Sequence, residues 1–215
     1  MRTHLLFTAM GLFLCFSSIG QPLLPSSQKE ELVTALSRRY PGITLQNLEK
    51  ELIPYALVKG KPKELKRFVD FGKKLHKQFR EQTIKKVPFW KLKNHPSIDV
   101  LYMEGVGHYG PIWGYLVMDE TDKTIVDVCF FHRAETRTYG ADITLDWFQG
   151  QFAGMKLSAD GQLLQLEMPD RESYTFGGVR LDAISGATQT NRGLMDMYNG
   201  MLRNYSALLT GKTEL

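Results

Sequence analysis

The sequence predicts an α+β fold, an antiparallel sheet packed by helices with a helical N-terminal extension, and three observations carry that expectation. Four segments between residues 98 and 168, IDVLYM, IWGYLVMD, TIVDVCFFH and LLQLEM, are rich in branched and aromatic residues and bounded by Gly, Asp and Pro, as strands are. The tetrapeptide ETDK between the second and third reads as a hairpin turn, which makes that pair antiparallel. Leu194, Met197, Tyr198, Met201, Leu202, Tyr205, Leu208 and Leu209 then follow helical spacing over four turns. That stripe is core, and its two methionines belong to it and not to a metal or haem site.

Taken in order, the chain opens on MRTHLLFTAMGLFLCFSSIGQPLLP, with Arg2 ahead of an uncharged apolar run from Leu5 to Ile19 and small residues before Gln21. This reads as a secretory signal peptide over residues 1–20. The competing reading is an uncleaved membrane anchor, for which the run is short of the roughly 20 apolar residues a span needs. Either reading puts the remainder outside the cytoplasm, in a periplasmic or other extracytoplasmic space, soluble or attached to the inner membrane. Residues 21–96 read as a helical, basic N-terminal region. SSQKEELVTALSRRYPG begins with a capping box, Ser27 and Glu30, and stops at Pro41-Gly42. A second helix is expected from Pro62 to about Phe79, with Leu65, Phe68, Val69, Gly72, Leu75 and Phe79 on one stripe and lysines opposite. Residues 97–215 form the main domain.

Charge and cysteine content exclude several function classes. The net charge of +4 is unevenly spread: thirteen Lys/Arg against three acids between Lys59 and Lys93 make that stretch +10 and leave the rest at −6. Such a block suits an acidic partner or anionic lipid, or is a solvated helix face. No stacking motif or DNA-binding pattern accompanies it, so nucleic acid is not expected. Cys15 would leave with the leader, and Cys129 sits in an apolar run as a small buried hydrophobe. The five histidines show no ligand spacing, and no metal site is expected.

The stretch LDAISGATQTNRG, residues 181–193, is the chemically loaded one. A helix start presents unpaired N–H groups and the positive end of a dipole, and so favours an anion. Gly186 and Ala187 would let a phosphate approach the backbone, and Ser185 and Thr190 could donate hydroxyl hydrogen bonds. An ordinary capped turn, with Thr188 or Thr190 at the N-cap and Gly186 at the bend, fits the same residues.

Other segments bear on that choice through a resemblance. DAISGATQT resembles the Asp-x-x-Ser-Gly-Ala-Thr-x-Thr pattern of FMN-binding domains that carry flavin covalently. GVGHYGPIWGYLVMD is similar to their Gly-x-Gly-x-x-Gly-Pro-Ile-Trp-Gly-Tyr segment, and HRAETRTYGADI to His-x-x-Glu-Thr-Pro-Gly-Leu-Gly-Ala-Glu-Ile. FAGMKL and the final helix follow in the expected order, so the resemblance covers roughly residues 97–209. Within that family the motifs are similar to those of the flavin-carrying subunits of the sodium-translocating NADH:quinone oxidoreductase and of the Rnf electron-transport complex.

The resemblance implies FMN joined through its phosphate to the hydroxyl of Thr188, with Asp182, Ser185, Gly186, Ala187 and Thr190 around the attachment point. It implies further flavin-site positions at Trp113, Glu135, Thr136 and Gly140, with Trp113 as an apolar wall or as plain sheet packing. It implies as partners a magnesium-dependent flavin transferase for maturation, and other subunits or redox proteins at the membrane. The implied role is electron relay, as a soluble carrier or as a subunit of a membrane reductase. A partner-binding module docking through residues 59–93 is the alternative of another class. Arg137, Thr138 and Tyr139 stand where the family has Pro, Gly and Leu, which implies a less rigid loop and a Tyr139 ring able to stack where Leu would pack. No nicotinamide fingerprint is present.

Overall fold

The computed structural model describes residues 26–66, 77–78 and 86–211. The 1–20 leader lies outside the described residues, as do Phe68, Val69, Gly72, Leu75 and Phe79 of the expected second helix. Helix α1 (Ser26–Ser37) buries Leu32, Ala35 and Leu36, a one-face set at i, i+3 and i+4. Ser27, expected as its cap, lies one residue inside it. A short α2 (Leu48–Glu51) follows.

The next segments correct the expected helical character of the basic region. Leu52–Val58, Lys61–Glu64 and Lys86–Leu92 are strands β1, β2 and β3. With β4 (His95–Val106), β5 (Pro111–Asp119) and β6 (Thr124–His132) they make one six-stranded antiparallel sheet, in the order β2-β1-β3-β4-β5-β6. The reason for the misreading is physical. β2 reads KPKE and all four residues are exposed, because it is the sheet edge, where lysine and proline blunt further pairing. Such a strand shows no alternation and looks like the solvated face of a helix. β3, by contrast, buries Val87, Phe89, Trp90 and Leu92.

The inner strands are buried along most of their length and do not alternate, because both faces of the sheet are covered. Tyr102 and Tyr115 are cross-strand partners on one face, where the Tyr115 hydroxyl donates to Glu31 of α1 at 3.3 Å. Gly105 has the opposite parity and lies against Met197 on the other face. Between β5 and β6, residues 120–123 form the expected turn. Arg38 ties α1 to the segment beyond β6, donating to Val128 O at 2.7 Å, Gln149 Oε1 at 2.8 Å and Asp146 Oδ1 at 2.9 Å. That segment comprises a 3-10 turn (Gly140–Thr144), α3 (Asp146–Gln149) and a second 3-10 turn (Gly150–Phe152).

The expected LLQLEM strand is broken. Leu163 ends the two-residue β8 (Gln162–Leu163), which pairs with β7 (Ser158–Ala159), and Leu166 opens β9 (Leu166–Glu167). β9, β10 (Ser173–Phe176) and β11 (Val179–Asp182) form a small separate sheet whose last strand delivers the chain to α4 (Thr188–Asn204). α4 buries Leu194, Met197, Tyr198, Met201 and Leu202 and packs against β4, and α5 (Ser206–Thr210) closes the described chain. No helix among the described residues is long and apolar enough to cross a membrane.

Candidate functional site

The site forms where β11, the β4–β5 hairpin and the loop after β6 meet the first turn of α4. Gln151 ends β11 by matching both backbone groups of Asp182: its Oε1 accepts the Asp182 N–H at 2.7 Å and its Nε2 donates to Asp182 O at 3.2 Å. Ile184 is then held by a side-chain clamp from the helix itself. Asn191, fully buried, accepts the Ile184 N–H at 3.2 Å and donates to Ile184 O at 2.8 Å, while the Tyr174 hydroxyl braces Asn191 Oδ1 at 3.0 Å. Gly186 turns the chain at φ +74°, a conformation that L side chains rarely adopt.

Ala187 stands at the N-cap of α4, with no side-chain cap, and the first internal bond runs from Asn191 N to Ala187 O at 2.9 Å. Neither Thr188 nor Thr190 is the cap, so the ordinary capped turn is not what these residues build. The N–H groups of Thr188, Gln189 and Thr190 have no intrahelical acceptor, and they stand at the positive end of a 17-residue helix. Among the described residues, the Thr188 hydroxyl has no hydrogen-bond partner. It is half-buried at the edge of a cleft of about 330 Å³.

Glu135 organises the opposite wall. Its carboxylate is 7% exposed, and Oε1 accepts the Tyr109 N–H at 2.9 Å while Oε2 accepts the Thr190 hydroxyl at 2.5 Å. Its own N–H donates to His132 Nδ1 at 3.2 Å. Gly140 is required here, because a Cβ at that position would overlap both Glu135 Oε2 and Thr190 Oγ1. The hairpin, the post-β6 loop and the helix start are thus locked together through one carboxylate.

Most of the expected site residues come together. Glu135, Thr136, Tyr139 and Gly140 line the cleft from one side, and Gly186, Ala187, Thr188 and Thr190 from the other. Ser185 and Asp182 are exposed and do not line it. Trp113 does not line it either. It shares a parity with Tyr115, on the sheet face away from α4, and stacks on Phe131 with centroids 6.0 Å apart at 17°. The sheet-packing reading of Trp113 is the one the geometry supports. The expected role of Thr190 also changes, since a hydroxyl has one proton and Glu135 takes it.

Residues the sequence reading passed over are His108, Tyr109 and Gln189 in the lining, and Asn191 beneath it. Asn191 had a signal: it precedes Leu194 and Tyr198 at helical spacing, so a polar amide falls on the apolar stripe. Arg137, Thr138 and Tyr139 are exposed, and Thr138 adopts φ +61°, the left-handed conformation expected where relatives place Gly. The Cys129 thiol is pushed up to about 12, chiefly by burial, and is inert as a nucleophile. Among the described residues, no group of three or more His, Cys, Asp or Glu is placed to hold a metal ion.

Comparison with known proteins agrees with this geometry. Residues 107–203 match the model of the FMN-binding domain family. The NqrC subunit of the Na(+)-translocating NADH-quinone reductase of Chlamydia muridarum is 32% identical over 135 residues, covering 55% of this chain and 42% of that protein. Its counterpart from Chlamydia trachomatis is 33% identical over 135 residues, covering 55% and 43%. The matched span is therefore less than half the length of these relatives. Among solved structures, the same subunit from Parabacteroides distasonis superposes with a TM-score of 0.64 at 22% identity, over 86% of this chain and 92% of that one. Shewanella oneidensis NqrC gives 0.65 at 19%, over 87% and 100%, and both likenesses speak to the fold alone. Over residues 107–203 the chain carries a domain of the FMN-binding family, and its sequence and fold resemble those of the NqrC subunits of Na(+)-translocating NADH-quinone reductases.

Proposed function

We propose that this chain is an exported flavoprotein that carries FMN covalently on Thr188 and relays electrons. It would do so as a soluble carrier or as a subunit of a membrane-associated NADH:quinone-type reductase. The observation that carries the reading is the Thr188 hydroxyl, free of partners beside three unpaired helix N–H groups at the edge of a cleft. A phosphate ester at that oxygen meets the first-turn N–H groups and the positive end of α4. Gly186 leaves the backbone open to it, and Glu135 does not repel it freely, since two hydrogen bonds already engage that carboxylate. The residues present therefore fit the group. FMN, when bound, supplies the redox chemistry, and the chain supplies attachment, orientation and electrostatics.

The attachment itself needs help, because a neutral Thr hydroxyl is a weak nucleophile and no base among the described residues touches it. A magnesium-dependent flavin transferase, with FAD as donor, would make the bond. Thr188 Oγ1 joins the FMN phosphorus, the pyrophosphate link of FAD breaks, and AMP leaves with the hydroxyl proton. The Asp182 side chain is exposed and the Asp182 backbone is already held by Gln151, which leaves the carboxylate available to the incoming enzyme. The test is co-expression with such a transferase in an exporting host. The expected product is yellow and keeps flavin fluorescence in its band after denaturing electrophoresis, while the same chain made without the transferase does not. A colourless product from the co-expression would end the reading.

A further inference from the structure

The aromatic wall expected at Trp113 lies on the far face of the sheet, and another ring stands at the cleft. Tyr139 lines it at 50% exposure, with its Cε1 only 2.9 Å from where a Cβ on Gly186 would sit. One face of the phenol therefore lies on the Gly186 backbone, two residues before Thr188. The turn that carries it is fixed: Tyr139 N–H donates to Thr136 O at 3.2 Å, and Tyr139 O accepts the Asp142 N–H at 2.9 Å. Tyr109, on the opposite rim, is 61% exposed and meets His108 edge-on, with centroids 4.1 Å apart. A flavin tethered at Thr188 and lying in this cleft has its ring system within reach of both tyrosines.

We propose that Tyr139 is the positioning residue that stacks on the isoalloxazine ring of the flavin and quenches its emission. The inference rests on the proposed attachment at Thr188. A half-exposed ring with one face on fixed backbone is a platform for a flat aromatic ligand, and offset stacking is the arrangement such rings prefer. The relatives' pattern has Leu at this position, so the electron-rich phenol distinguishes this chain. A stacked phenol gives an electron to the excited flavin and takes it back, which returns both to their starting state without light.

The test uses the full exported chain, co-expressed with the transferase, as wild type, Tyr139→Leu, Tyr139→Phe and Tyr109→Leu. Intact mass fixes the flavin content of each before any optical reading. Wild-type flavin should be dim in the native state and brighten severalfold in urea while still attached. Native Tyr139→Leu should already show most of that gain, and Tyr139→Phe should brighten while keeping the wild-type absorption shape, since Phe stacks but is a poor donor. Tyr109→Leu should change emission far less. Fully flavinylated Tyr139→Leu that stays as dim as wild type would overturn the Tyr139 assignment alone. A wild type with no covalent flavin by mass would overturn the attachment, and this inference with it.

Discussion

Glu135 is a buried negative charge in a cleft read as an anion site, and the conflict resolves in its two bonds. Both carboxylate oxygens are taken, one by the Tyr109 amide and one by the Thr190 hydroxyl, so the charge is spent on holding the cleft together. Thr190→Val keeps the shape and removes the donor, leaving a buried carboxylate oxygen without it. This should cost about 2–3 kcal/mol, the penalty of an unsatisfied buried charged group. Covalent flavin at Thr188 should persist, since the first-turn N–H groups remain. Urea unfolding and intact mass check the two halves, and a stability within about 0.5 kcal/mol of wild type would remove Glu135–Thr190 as the lock. At this scale the sequence was partly legible. Small residues and hydroxyls announced an anion site at Ser185–Thr190, but a pattern cannot say which hydroxyl is already engaged. Nor does the Trp113 motif say which face of β5 it occupies; parity within the finished sheet decides that.

The element that matters most is the start of α4, because a phosphate site there requires an unblocked first turn held in place from below. Asn191 supplies the hold by binding Ile184 at both its N–H and its carbonyl. Asn191→Ala should loosen residues 183–187, speed amide exchange at Ile184 by orders of magnitude and lower stability by about 2–3 kcal/mol. Exchange at Ile184 as slow as wild type would show that the loop is held by its own backbone. The sequence made α4 plain, because an apolar stripe over four turns has one interpretation. It hid β1–β3, because the short β2 edge is solvated on both sides and the lysines that protect it imitate a helix face. The same blindness applies to β8 and β9, whose two-residue pairings leave no period to read.

Across the whole molecule, a sheet covered on both faces buries charge as well as hydrocarbon. Asp99 is fully buried in β4 and its carboxyl is pushed up to about 6, first by burial, although Lys91 stands 2.8 Å away and pulls the other way. Below pH 4 it is protonated in both folded and unfolded chains. As pH rises from 4 to 6 the unfolded chain loses the proton first, so this group's contribution to stability falls across that window. At about 1.4 kcal/mol per pKa unit, wild type should lose about 2–3 kcal/mol between pH 4 and pH 7 relative to Asp99→Asn. Urea midpoints at the two pH values measure it, and parallel behaviour of the two proteins would contradict it. The sheet, its helices and the locked helix start together present one reactive-side-chain candidate, the hydroxyl of Thr188. Intact mass of wild type and Thr188→Val, each co-expressed with the flavin transferase and exported, tests that claim most directly. Wild type should be heavier than its unmodified chain by one FMN less one water, with the addition on the peptide containing Thr188. Thr188→Val, folded and of nearly the same shape, should carry none; an equal mass increment in both proteins would contradict the assignment.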